Sequence, residues 1–167
     1  MVSAQGLTKT FGTFTAVAGI DLWVSRGESF GFLGPNGAGK SSTMRMIACV
    51  SPRTSGDLTV LGADPDVAGP SIRARLGVVP QADNLDGELT LRQNLQVYGR
   101  YFGFPRAYCR AKATELLEFA QLTERADADV ELLSGGMKRR LTIARSLVND
   151  QALTARDREA ARNTRRS

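Results

Sequence analysis

The run GPNGAGKSS, Gly34 to Ser42, narrows what this chain can fold into more than any other feature. It follows the apolar stretch SFGFLG, residues 29 to 34, and precedes Met44, Ile47 and Ala48 at helical spacing, so the order reads strand, glycine loop, helix. Glycines at positions 34, 37 and 39 let backbone N–H groups turn inward, and a helix opening near Lys40 points its positive end at the same place. Gly34, Gly39, Lys40 and Ser41 stand at the fixed positions of a polyphosphate cradle, with Pro35, Asn36, Gly37, Ala38 and Ser42 completing its wall. In that reading Lys40 reaches the terminal phosphates and the Ser41 hydroxyl ligates Mg²⁺. The competing reading, a glycine-rich turn that happens to precede a helix, leaves both the spacing and the flanking elements to chance. Kinases, GTPases and transport ATPases share such a loop, so it does not by itself select a reaction.

The remaining patterns place this loop in a single globular domain. TAVAGIDLWV, residues 15 to 24, sets Ile20, Leu22 and Val24 at period two, as a half-buried strand does. SGDLTVLGAD (55 to 64) and ARLGVVPQ (74 to 81) read as further strands. Three helical segments follow. The first covers about Thr90 to Phe102 with Thr90 as N-cap; the second opens at Pro105 and lines up Ala113, Leu116, Leu117 and Ala120. The third starts near Ser134 and sets Met137, Leu141, Ala144 and Val148 on one stripe, with Lys138, Arg139 and Arg140 facing elsewhere.

LLSGGMKRRLTIARSL, residues 132 to 147, supplies a second candidate anion site, with Ser134 as N-cap and Gly135 and Gly136 exposing backbone N–H groups. Taken alone, this segment reads equally well as a capped helix with a solvated basic face.

A phosphate loop, then VVPQ, then LSGGM resembles the ATP-binding subunit of ABC transporters, and the resemblance covers about residues 1 to 150. It implies an α/β P-loop NTPase domain with an N-terminal antiparallel β part and a helical subdomain. It implies ATP and Mg²⁺ as ligands, with Gln81 touching Mg²⁺ and the attacking water. Leu133, Ser134, Gly135, Gly136 and Met137 become the signature motif, which meets the γ-phosphate held by the opposite protomer of a homodimer. Phe11 is placed to stack on adenine, with Val17 beside it. Met137, KRRL and the stretch from Gln81 to Phe104 look like exporters of the nodulation-factor and daunorubicin-resistance type. Lipo-oligosaccharides or hydrophobic drugs are then the implied substrates, and a membrane-spanning permease subunit the implied partner. The face from Gln81 to Phe104 would receive that subunit's coupling helix, with the chain peripheral on the cytoplasmic side of the membrane.

Against this family pattern the end of the chain is unusual. The resemblance implies an apolar strand ending Asp-Glu soon after the signature helix, the Asp for the Mg²⁺ shell and the Glu for the attacking water. QALTARDREAARN holds no apolar run of that length, and Asp157 and Glu159 stand in a polar setting on either side of Arg158. The switch histidine is absent, because the chain has no histidine. The domain is therefore expected to be incomplete, lacking the Walker B strand and everything after it, with residues 151 to 167 a disordered basic tail. Its loss is expected to leave an unpaired apolar edge beside the phosphate-loop strand. Two readings stay open: an ATP-hydrolysing subunit with some other group replacing the carboxylate, or a chain truncated or frame-shifted after Asp150 that binds ATP without cutting it.

Charge and cysteine usage fit a cytoplasmic protein. The tail carries five arginines against one aspartate and one glutamate, a net +3 of the total +5, so the body is nearly neutral. No aromatic interleaving or reading helix accompanies that charge, and no nucleic-acid partner is expected. Cys49 and Cys109 form no CxxC pair and read as small buried hydrophobes in a reducing compartment. No run approaches the length of a membrane span.

Overall fold

Period-two alternation builds a hairpin at the N-terminus. β1 (Val2–Phe11) and β2 (Phe14–Val24) pair antiparallel, and β3 (Ser55–Val60) adds to the other edge of β1, giving the order β2-β1-β3. The computed structural model describes residues 1–82 and 84–149. It divides into two compact units, Met1–Leu76 and a second from Gly77 onward. The boundary at Asp150, the tail and Asp157 and Glu159 lie outside the described residues.

In the first unit β2 matches the strand expected there, with Ile20, Leu22 and Val24 half-buried while Asp21 and Trp23 are exposed. β1 escapes a simple alternation because Gly6 takes a positive φ of 56° and shifts the register between Ala4 and Leu7. Ala4, Leu7, Leu58 and Val60 then form the core with Met46 of α1 (Lys40–Ile47) and Ile72 of α2 (Pro65–Arg73). Each fully buried Leu or Ile of this kind stabilises by about 1.5–3 kcal/mol. Helix α2 was not foreshadowed by periodicity, since Pro70 and the non-helical Ala68 break it, but Asp64 as N-cap with Pro65 at the first position is a start signal.

Two expected strands are corrected. Residues 29–34 and 75–81 contain no strand, and among the described residues no strand runs beside them. Apolar alternation reports which side chains seek burial, whereas a strand requires a neighbour to complete its ladder. Without one, Phe30 is 48% and Leu33 97% exposed, and Val78 is 50% exposed. The expected unpaired edge of a phosphate-loop strand is therefore corrected too, to apolar side chains exposed on a segment that forms no strand among the described residues.

The second unit is helical, and here sequence and structure agree closely. α3 (Leu91–Tyr101) opens on a capping box in which Thr90 accepts from the Gln93 N–H and the Gln93 side chain accepts from the Thr90 N–H. α4 (Arg106–Phe119) follows Pro105, and α5 (Gly135–Ser146) follows Ser134 as N-cap. Ala113, Leu116, Leu117 and Ala120 bury against Leu141, Ala144 and Val148 in one cluster, with Met137 at its margin. Cys109 is buried there while Cys49 of the first unit is half-buried; both are free, and burial raises both thiols above their ordinary range. Among the described residues no helix is long and apolar enough to cross a membrane.

Two stability predictions follow from this packing. Leu141 is fully buried, so Leu141→Ala should cost about 2–5 kcal/mol in urea unfolding, whereas Phe119→Ala, at a position 63% exposed, should change stability by less than about 0.5 kcal/mol. Arg53 binds both oxygens of Asp64 at 2.8 Å, and Asp64 also accepts from the Asp66 N–H, which together hold its carboxyl down to about 2. A depressed carboxylate stabilises the fold above its unfolded value, near 3.9, and loses that contribution as pH falls through the folded value. The urea midpoint of Asp64→Asn should therefore lie below that of the parent at neutral pH and converge with it between about pH 4 and pH 2.

Candidate phosphate-binding site

The loop from Gly34 to Ser42 is shaped by its glycines and closed by its own lysine. Gly34, Gly37 and Gly39 have φ of 153°, 87° and 77°. Gly39 is the tightest of these. A Cβ there would lie 2.2 Å from the Ala16 carbonyl oxygen and 2.9 Å from Val17 Cγ2, so any side chain would force the loop away from β2. Lys40 Nζ donates to the Gly34 and Pro35 carbonyls at 2.7 and 2.6 Å, which folds the ammonium over the loop it belongs to.

Helix α1 begins at Lys40, and its first i→i−4 bond runs from the Thr43 N–H to the Gly39 carbonyl at 2.9 Å. The N–H groups of Lys40, Ser41 and Ser42 come before that bond and have no intrahelical acceptor. Three convergent donors, a positive helix end and an ammonium make a site for a multiply charged anion. A cavity of about 350 Å³ adjoins it, lined on the loop side by Gly37, Ala38 and Lys40 and on the β2 side by Ala16 and Val17. The arrangement suits a polyphosphate, with Ser41 exposed at the helix start.

The two residues assigned to adenine separate. Val17 lines this cavity and packs on Gly39. Phe11 ends β1 at the hairpin turn, 53% exposed and with Lys9 Nζ 4.9 Å from its ring centre, and is not among the residues lining the cavity.

The remaining assigned residues belong to the second unit. Leu133 is buried in its core and anchors the start of α5, while the Ser134 hydroxyl accepts from the Met137 N–H at 3.3 Å. Gly135 and Gly136 are exposed, and a Cβ on either would meet nothing within 4 Å. Nothing inside the described residues requires glycine at these two positions. Gln81 is exposed in a bend just after Pro80.

Sequence reading treated the basic residues of α5 as solvated and missed what two of them hold. Arg139 Nη1 donates to the Pro80 carbonyl at 2.6 Å and Arg145 Nη1 to the Asn84 carbonyl at 2.5 Å. The backbone of Gly77 lies against the Ser146 carbonyl, where a Cβ would come within 2.6 Å. The segment bearing Gln81 is thereby strapped along α5. No periodicity signals this, because the acceptors are backbone carbonyls some sixty residues upstream. Beside the strap, Leu85, Leu89, Val97, Tyr98 and Tyr101 line a groove of about 360 Å³ whose floor includes Arg145, stacked 5.0 Å from the Tyr98 ring centre.

Comparison with known proteins places these features. The chain is 48% identical over 157 residues to the Nod factor export ATP-binding protein I of Ralstonia nicotianae, covering 94% of this chain and 49% of that protein. It is 53% identical over 142 residues to the protein of the same name from Paraburkholderia xenovorans, covering 85% of this chain and 47% of that one. The chain thus spans about half the length of the curated relatives it matches. Among solved structures, a dimeric ATP-binding cassette in a post-hydrolysis state bound to ADP and Pi superposes with a TM-score of 0.78 at 29% identity, over 90% of this chain and 70% of that one. The fold is accordingly that of an ABC ATPase, with its antiparallel N-terminal sheet and its helical part. The profile of the ABC transporter family matches residues 17–160, from the valine packed on Gly39 through the phosphate loop and past the signature helix, and the chain belongs to that family.

Proposed function

We propose that this chain is the ATP-binding part of an export complex, and that it grips Mg-ATP without hydrolysing it. The observation that carries the reading is the Gly39 contact: the loop touches β2 so closely that only glycine fits, and α1 starts at the next residue, with Lys40 lining the cavity. In this reading Lys40 leaves its carbonyl partners for the terminal phosphates, Ser41 and Gln81 hold Mg²⁺, and Val17 and Phe11 contact the base. A second copy supplies Ser134, Gly135 and Gly136 to the same nucleotide, consistent with glycines that the fold itself does not demand. ATP then joins two such surfaces, and their separation is coupled to a permease subunit seated on the groove beside Tyr98, at the cytoplasmic face of the membrane. Within QALTARDREAARN, just past α5, no apolar run ends in Asp-Glu, which supports binding without cleavage by these residues. The names of the relatives support a lipo-oligosaccharide as cargo, with a hydrophobic drug as the alternative. Residues 1 to 150 form the ATP-binding domain in this proposal, and 151 to 167 a basic extension with no part in catalysis.

The decisive experiment measures Mg-ATP binding and phosphate release on one preparation. Saturable binding with no release above background is expected, and robust turnover would sink the non-hydrolysing reading. Lys40→Ala should weaken binding by at least about tenfold, the loss of one charge-assisted contact of about 1.5–3 kcal/mol. Gly135→Val should leave ATP affinity unchanged but abolish ATP-dependent association of two copies, read by light scattering. If that variant still dimerises with ATP, the signature motif does not act in trans.

A further inference from the structure

The three-stranded sheet has two faces, and the core of the first unit forms on one of them among the described residues. Ala4, Leu7 and Leu58 turn toward the core. On the opposite face Trp23, Ser3 and Thr59 stand abreast, because Ser3 pairs with Trp23 on one side and Thr59 on the other. In the next row Gln5 pairs with Asp57, and Asp21 reaches in from β2, its Oδ1 accepting from the Gly6 N–H at 2.6 Å. Together these residues line a concavity of about 600 Å³.

Its chemistry is one-sided. Trp23 is 59% exposed, a large aromatic surface that the first unit leaves uncovered. The lining holds two carboxylates, Asp21 and Asp57, and no lysine or arginine. Neither makes an ion pair within 4 Å among the described residues. Arg53 feels the charge of Asp57, but its guanidinium is bound to Asp64, Asp66 and the Gly56 carbonyl.

We propose that this face binds an arginine side chain presented by a basic peptide segment of a partner protein, its guanidinium stacked on Trp23 and donating to Asp21 and Asp57. A cation over indole is favourable, and a guanidinium combines a plane that stacks with several N–H donors in a fixed fork. A quaternary ammonium has no donor for either carboxylate, and lysine offers a point charge with no plane. Phosphates and nucleic acids are repelled by the same two carboxylates, and an apolar segment would desolvate both without replacing their hydrogen bonds. Asp21 is already oriented by the Gly6 N–H, which leaves its second oxygen for the ligand.

Trp23 is the only tryptophan of the chain, so its fluorescence reports occupancy of this face directly. Titration of the full chain with a short arginine-rich peptide at low salt should give a saturable change in emission. The same peptide with glutamine in place of arginine should give none, and lysine should bind several-fold more weakly. Asp57→Asn should weaken the arginine peptide several-fold and Asp21→Asn/Asp57→Asn by about tenfold or more, with high salt acting in the same direction. Both positions are exposed and asparagine keeps an acceptor for Gly6, so circular dichroism should match the parent. The proposal is overturned if the glutamine peptide changes the emission equally, which would mark an apolar docking surface. It is also overturned if the double variant binds as tightly as the parent, or if no saturable change occurs.

Discussion

The backbone of Gly39 passes so close to the Ala16 carbonyl that a single Cβ would have to share space with it. That contact ties the head of α1 to the first part of β2, and the rest of the candidate phosphate site hangs from it. It sets where the helix begins, where the three free N–H groups gather and which side chain, Val17, walls the cavity. Lys40, folded onto the Gly34 and Pro35 carbonyls, keeps its charge inside the same loop. A polyphosphate would compete with those carbonyls for the ammonium by offering full negative charge in place of partial.

The second unit solves a comparable problem differently. The segment around Gln81 finds no ladder among the described residues, and its backbone carbonyls are instead taken by Arg139 and Arg145 from α5. In residues 29–34 of the first unit the Lys40 ammonium takes the Gly34 carbonyl, and Phe30 and Leu33 are exposed. Both segments have the apolar content of strands buried on two faces, which is the composition of a parallel sheet interior. Apolar side chains uncovered in this way, Phe30, Leu33 and Val78, are surface on which another chain could pack.

Local chemistry was legible wherever a short run of residues carries its own instruction. The capping box at Thr90 and Gln93, the N-cap at Ser134, the faces of α4 and α5 and the glycine spacing of the phosphate loop all follow from neighbours within one or two turns. β1 and α2 were hidden because a bulge at Gly6 breaks one periodicity and Pro70 with Ala68 breaks the other. The assignment of Phe11 rested on resemblance alone, and its exposed place at the hairpin turn is set by pairing with Phe14 rather than by the loop.

Sequence alone therefore determined which elements could form and where an anion cradle could lie, because caps, helical stripes and the glycine-lysine loop act over short distances along the chain. Only the tertiary structure decided which of these elements are completed. A strand exists by virtue of its neighbour, so SFGFLG and ARLGVVPQ form no strand among the described residues. The roles of Arg139, Arg145 and Trp23 likewise depend on surfaces assembled from distant segments, which no local pattern encodes.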